Sequence, residues 1–188
     1  MVIIKRAPVL ENPSAFGLTY EDISFLSRED DVDLKGWFLP AAGSDRLIIM
    51  VHGVDVHRAD PSIGMLNIAA ALVQHGFNVF TFDLRGHGES DGRSGYAGHH
   101  EKKDLHGALD YAVQRGFSKI GVLGFSLGAA IAIMSAAENG DISSIVADSS
   151  FSNMKDIIVP QFTKRTGLPK IFLRPLVLLA RMTYRFNF

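Results

Sequence analysis

The feature that most constrains this chain is a glycine-flanked serine between a strand-like and a helix-like segment. Ser126 stands in the pentapeptide Gly124-Phe125-Ser126-Leu127-Gly128, which fits the pattern G-x-S-x-G. The apolar run at 119–123 is of strand type, and the small apolar residues at 127–137 are of helix type. A sharp turn between them strains the serine backbone, and side chains at the flanking glycines would collide across it. The pattern therefore predicts a nucleophilic Ser126 rather than a structural turn serine.

Composition narrows the class of protein. The 188 residues suit one domain, and 47% hydrophobic residues are enough for a sizeable core. The net charge of −1 offers no general attraction to nucleic acid or to acidic lipid. Cysteine is absent, which excludes disulfides, a thiol nucleophile and cysteine metal sites, and suits the cytoplasm. We expect neither a signal peptide nor a membrane-spanning run.

Strand-like and helix-like segments alternate along most of the chain, which predicts a parallel sheet with right-handed crossovers. The apolar run Leu47–Val51 is typical of a parallel strand buried on both faces. The first two strands are expected to form an antiparallel pair. Strands are predicted at 20–26, 32–39, 47–51, 77–84, 119–125 and 142–147, and helices at 61–75, 100–115 and 127–138. An irregular lead-in is predicted at 1–18, a glycine-rich loop at 85–98, and two helices at 153–188.

Four sequence motifs, taken together, resemble those of the α/β-hydrolase superfamily. They are His52-Gly53 after the strand at 47–51, the loop DLRGHGES at 83–90, the serine pentapeptide, and Asp148 at the end of the next strand. Within the superfamily the chain looks most like the small serine hydrolases, the esterases and monoacylglycerol lipases. The resemblance covers about residues 18–153.

This resemblance implies an α/β fold, with a mostly parallel sheet and helices on both faces. The chain would hold the first six strands of that fold in a core at 1–153. A helical cap segment would follow at 154–188, and the last two strands of the fold would be missing. The chain is therefore expected to be truncated within its cap.

The resemblance also assigns chemical roles. Ser126 would attack a carboxylic ester or a related small acyl substrate and form an acyl-enzyme. The backbone N–H groups of Val54 and Leu127 would form the oxyanion hole. No cofactor and no metal is implied. Two alternatives are acyl transfer to an acceptor other than water, and a non-catalytic binding or interaction protein on the same fold.

Several histidines invite a chemical role. His52 could touch substrate, but the favoured interpretation is that it hydrogen-bonds its own loop, because the family uses this histidine structurally. Arg85 and His87 are expected to hold the glycine-rich loop. The pair His99-His100 suggests metal binding, but adjacent residues on a helix point different ways, and a helix start is preferred.

The order of residues leaves the triad incomplete. All seven histidines precede Ser126, whereas the family order is serine, acid, histidine. The acid and the histidine are therefore expected from sequence beyond residue 188. Asp148 is a candidate acid, or else an ordinary strand-end aspartate. Three interpretations remain open. The chain is a truncated hydrolase that is inactive or weakly active alone, a short relative without hydrolysis, or an enzyme that recruits another histidine such as His52.

Two further predictions concern surfaces of the protein. The strand at 142–147 should expose an apolar edge, which predicts self-association through that edge or poor solubility. Residues 157–188 contain no acidic residue. A basic stripe is predicted on one helical face of this segment, from Lys170, Arg174, Arg181 and Arg185. A cap over an acyl pocket is the favoured interpretation, and contact with a membrane surface is the alternative.

Overall fold

The computed structural model describes residues 2–3, 6–92, 94–95, 98–151, 167, 169–172 and 175. The chain divides into two compact units, one formed by Val2–Ser150 and the other by Phe151–Phe188 with Met1. Lys170–Phe172 of the second unit form a short 3-10 helix. Most of the predicted cap helices and their basic stripe lie outside the described residues. The division at residue 153 into core and cap stays a prediction.

The first unit contains both elements that the sequence predicts and elements that it does not. In chain order the strands are β1 (Val2–Ile3), β2 (Glu21–Leu26), β3 (Asp33–Leu39), β4 (Arg46–Val51), β5 (Asn78–Phe82), β6 (Ser94–Gly95), β7 (Lys119–Phe125) and β8 (Ile142–Asp148). The α-helices are α1 (Met65–Gln74), α2 (Glu101–Gln114) and α3 (Leu127–Ala136). The unpredicted elements are a 3-10 helix at Pro13–Phe16 and the short antiparallel pair of β1 with β6.

Six strands form the main sheet in the order β2-β3-β5-β4-β7-β8. β4 lies between β5 and β7 and is parallel to both, and β8 continues the parallel part beyond β7. β2 and β3 form an antiparallel pair that joins the sheet through β5. The predicted fold class is therefore confirmed.

Helices cover both faces of this sheet, as the alternation along β5 shows. Val79 packs in a buried cluster with Met65 and Leu66 of α1. The ring of the next residue, Phe80, lies 5.6 Å from the ring of Tyr111 in α2. Neighbouring residues in a strand point to opposite faces, so α1 and α2 lie on opposite sides of the sheet.

The start of α1 differs from the prediction. The helix begins at Met65 rather than at Pro61, and residues 61–64 form turns. Gly64 has a φ of 68°, in the left-handed region. A right-handed helix cannot pass through that conformation, so the helix starts after it.

Candidate active site

Ser126 occupies the tight turn between β7 and α3. Its φ of 51° and ψ of −110° are strained for a residue that carries a Cβ. The backbone N–H of Ser126 donates to the Asp148 carbonyl at 2.9 Å, and the Ser126 carbonyl accepts from the Ala129 N–H at 3.1 Å. Both bonds use the backbone only, and the residue is partly exposed. The serine side chain therefore remains accessible at the start of α3.

Close backbone contacts require both glycines of the pentapeptide. A Cβ on Gly124 would lie 2.4 Å from the carbonyl oxygen of Gly128. A Cβ on Gly128 would lie 2.2 Å from the carbonyl oxygen of Val51. The predicted collision across the turn is thus present at Gly124, whereas the collision at Gly128 is with β4.

The turn that follows β4, residues 52–55, lies against Ser126. We call it the oxyanion turn, after the role that the sequence resemblance predicts for it. A Cβ on Gly53 would be 3.4 Å from the Cβ of Ser126 and 3.9 Å from its Oγ. Val54 follows directly and is 47% exposed. On the other side, Leu127 is the first residue of α3, and an N–H at that position has no acceptor within its helix. The helix N-terminus adds partial positive charge there.

His52 is fully buried and binds the backbone on two sides. Its Nδ1 lies 2.6 Å from the carbonyl oxygen of Gly53, and the N–H of Leu84 donates to its Nε2 at 3.0 Å. A neutral ring with its proton on Nδ1 satisfies both contacts. Burial, reinforced by the neighbouring His87, lowers the pKa of His52 to about 4. These contacts favour a loop-shaping His52 over a recruited base, because both ring nitrogens are already bonded.

His87 contacts the next part of the oxyanion turn. Its Nε2 accepts from the N–H of Asp55 at 3.2 Å, and its Nδ1 lies 3.0 Å from the carbonyl oxygen of Arg85. The His87 ring meets the His52 ring edge to face, with centroids 5.0 Å apart. Burial lowers the pKa of His87 below its ordinary value. Two neutral imidazoles therefore connect the oxyanion turn to the loop after β5.

Arg85 anchors that loop to α2 and to the turn between β2 and β3. Its Nη2 donates to Oδ1 of the buried Asp104 at 2.6 Å, and its Nη1 donates to Oδ2 of Asp30 at 2.8 Å. Burial opposes ionisation of Asp30, but hydrogen bonds from Arg85 and Ser27 outweigh it and lower the Asp30 pKa to about 2. Arg85 thus holds the glycine-rich loop, in the structural role expected of it.

Asp148 ends β8, and its side chain is exposed. Its carboxylate accepts a 2.7 Å hydrogen bond from the hydroxyl of Ser149. The hydrogen bond between Ser126 and Asp148 is accepted by the Asp148 backbone carbonyl, not by the carboxylate. The structure therefore brings Asp148 beside Ser126 without pairing its carboxylate with any histidine among the described residues.

Within the described ranges, no group of three or more histidine, cysteine or acidic side chains is arranged to hold a metal ion. Among those residues there is also no helix with the length and apolar character needed to cross a bilayer.

With this geometry established, comparison with known proteins identifies the family. The chain matches the family model described as serine aminopeptidase, S33, over residues 42–181. It belongs to this family of α/β hydrolases, which confirms the resemblance seen in the sequence.

The chain is also similar to individual curated proteins. The chain is 29% identical to protein bem46 of Schizosaccharomyces pombe over 156 residues, covering 80% of this chain and 50% of that protein. It is 32% identical to the uncharacterized protein YfhR of Salmonella typhi over 156 residues, covering 73% of this chain and 51% of that protein. The chain thus spans about half the length of these curated relatives.

A solved structure is similar over nearly the whole chain. The Pyrococcus furiosus esterase Pf2001 superposes with a TM-score of 0.81 at 30% sequence identity. The match covers 92% of this chain and 70% of that esterase.

Proposed function

We propose that this chain provides the nucleophile and the oxyanion hole of a serine hydrolase that acts on a carboxylic ester or a related acyl compound. The observation that carries the proposal is the strained, partly exposed Ser126 with a φ of 51°, placed between Gly53 and the start of α3. Family membership and the likeness to an esterase of known structure support it.

In the proposed mechanism the Ser126 Oγ attacks the carbonyl carbon of the substrate while a base accepts the hydroxyl proton. The carbonyl oxygen becomes an oxyanion and accepts hydrogen bonds from the N–H groups of Val54 and Leu127. The tetrahedral intermediate then collapses, the base returns its proton to the leaving oxygen, the alcohol departs, and an acyl-Ser126 ester forms. Water attacks this ester by the same route and releases the acid. Transfer of the acyl group to an acceptor other than water would use the same steps up to the acyl-Ser126 ester.

The base is assigned outside this chain. Both nitrogens of His52 are bonded to the backbone, and no histidine follows Ser126 in the sequence. The proposal therefore takes the triad histidine from sequence beyond residue 188. Asp148 stays a candidate acid because its carboxylate is exposed at the end of β8.

The experiment replaces the absent base with free imidazole. The 188-residue chain is incubated with a fluorophosphonate at pH 8 and rising imidazole concentrations, and the adduct is followed by intact mass. We expect slow labelling without imidazole and a rate that rises with its concentration. Peptide mapping should place the adduct on Ser126. Ser126→Ala should abolish it, and Ser149→Ala, which removes a nearby exposed hydroxyl, should leave it unchanged.

A folded chain that stays unlabelled at every imidazole concentration would contradict the proposal. That result would favour the non-catalytic binding protein on the same fold. Labelling that survives Ser126→Ala would place the nucleophile elsewhere.

A further inference from the structure

We propose that His52 and His87 act together as positioning residues that orient the two peptide units on either side of Val54, and so aim the Val54 N–H at the oxyanion. We call these two residues the histidine pair. The inference rests on the proposed role of Ser126, but it is carried by contacts of its own.

The first peptide unit joins Gly53 to Val54. Its carbonyl oxygen and its N–H lie in one plane and point in opposite directions, because the peptide bond is trans. His52 holds that carbonyl oxygen at 2.6 Å from its Nδ1. Fixing the carbonyl of Gly53 fixes the direction of the Val54 N–H, which points away from the His52 ring. A hydrogen bond to the carbonyl also polarises the unit and makes its N–H a stronger donor.

The second peptide unit joins Val54 to Asp55. Its N–H donates to Nε2 of His87 at 3.2 Å. Asp55 has a φ of 61°, a conformation that residues with a Cβ adopt rarely. The contact with His87 therefore holds a strained turn in place, and the rotation of Val54 is restricted from both ends.

The histidine pair functions only when both rings are neutral. Each ring places Nδ1 against a carbonyl oxygen and receives a backbone N–H at Nε2. A proton on Nε2 would set donor against donor at Leu84 or at Asp55. With the two rings 5.0 Å apart, two imidazolium charges would also repel each other.

Other charged and titratable groups face the pair from several elements. His57 and Asp83 act on His52, and Asp55, Asp83 and Glu101 act on His87. The nearby carboxylates favour protonation, whereas burial opposes it and is the larger effect for both rings. Acidification should therefore release the oxyanion turn.

Two variants of His87 separate the hydrogen bond from simple packing. His87→Leu fills the space but removes the acceptor, whereas His87→Gln offers a carbonyl oxygen in its place. We expect His87→Leu to speed hydrogen exchange at the Asp55 amide, and to slow imidazole-assisted labelling of Ser126 by about tenfold, as the loss of one hydrogen bond implies. His87→Gln should recover most of both effects. His75→Leu, at an exposed histidine after α1, should change neither.

Nitrogen-15 NMR of the imidazoles tests the pair without any reference to reactivity. We expect both neutral rings to carry their proton on Nδ1 and each ring to titrate below pH 6.5. An Nε2–H tautomer, ordinary titration near pH 6.5, or an Asp55 amide that stays protected in His87→Leu would overturn the inference.

The two proposals fail in different ways. A wild-type chain that is never labelled would count against the Ser126 nucleophile and remove the catalytic purpose of the pair. The tautomers and the amide exchange would still decide whether the histidine pair holds the turn.

Discussion

The backbone N–H of Ser126 donates a 2.9 Å hydrogen bond to the backbone carbonyl of Asp148. Phe125 and Asp148 are register partners at the ends of the parallel strands β7 and β8. The bond therefore extends the ladder one residue past β7, into the strained turn itself. The position of Ser126 therefore depends on where β8 ends, whatever the Asp148 carboxylate does.

Gly128→Ala should destabilise the protein. The new methyl group would lie 2.2 Å from the carbonyl oxygen of Val51, and the backbone of β4 cannot move aside without disturbing the central sheet. We expect a loss of about 1–3 kcal/mol in the free energy of unfolding, measured by urea denaturation. Gly140→Ala is the matched control, since a Cβ there meets nothing within 4 Å. Equal midpoints for the two variants would show that the turn between β7 and α3 tolerates a side chain at Gly128.

Val54→Pro tests the oxyanion donor directly, because proline has no backbone N–H. We expect imidazole-assisted labelling of Ser126 to fall by about 100- to 1,000-fold, the usual cost of one lost oxyanion donor. Val54→Ala keeps the N–H and shortens a half-exposed side chain, so its rate should stay near that of the wild type. Circular dichroism and urea midpoints establish that both variants fold. A Val54→Pro rate equal to the Val54→Ala rate would remove Val54 from the proposed site.

Stability should fall as the pH drops from 6.5 towards 4. The pKa of His52 is about 4 in the folded chain and near 6.5 when unfolded, so in this window the unfolded state binds the extra proton. The shift corresponds to about 3 kcal/mol at most, and His87 acts in the same direction. Urea denaturation at several pH values measures it. His52→Gln should flatten the slope, and an unchanged slope would mean that His52 is not the group responsible.

The loss of stability that is linked to Asp30 should appear only at lower pH. Its folded pKa of about 2 lies below the ordinary value of 3.8, so its contribution is present above pH 3.8 and is lost between 3.8 and 2. The Asp30 window therefore lies below the His52 window. Burial raises the pKa of Asp104 to about 6, so the folded state binds this proton first and Asp104 opposes the His52 effect between pH 6 and 3.8.

The outer side of β8 is expected to promote self-association. Val146 in this strand is 62% exposed, and among the described residues β8 pairs only with β7. Sedimentation velocity over a range of concentrations should show species larger than the monomer. Val146→Lys should shift them towards the monomer, because a charged side chain disfavours pairing at a sheet edge. Val113→Lys, at an exposed position on α2, is the control, and a wild-type chain that is monomeric throughout would contradict this prediction.

Much of the fold could be predicted because its central strands are strongly patterned. The predicted strand at 119–125 has the observed bounds of β7, since an apolar run between a glycine turn and the serine pentapeptide leaves little freedom. The predicted start of α1 was wrong because the conformation of Gly64, and not hydrophobic spacing, determines where the helix begins. The pair of β1 and β6 was missed because two residues carry no periodicity.

The candidate site also combines features that the sequence could predict with features that it could not. Ser126 could be predicted because its requirements are local, namely two glycines, a strand before it and a helix after it. The contact between His87 and Asp55 could not, because 32 residues separate two irregular segments and no spacing rule links them. The sequence points to the carboxylate of Asp148 as a candidate acid. In the structure, the backbone carbonyl of Asp148 makes the contact with Ser126.

The turn that holds Ser126 is built by the ends of β4, β7 and β8 and by the first residues of α3. All of these elements precede residue 149. Under the proposed function, the residues that position Ser126 and the residue that accepts its proton would therefore lie in separate parts of the polypeptide. A second polypeptide carrying the acid and the histidine could complement this one in trans, and turnover would then report assembly of the two fragments.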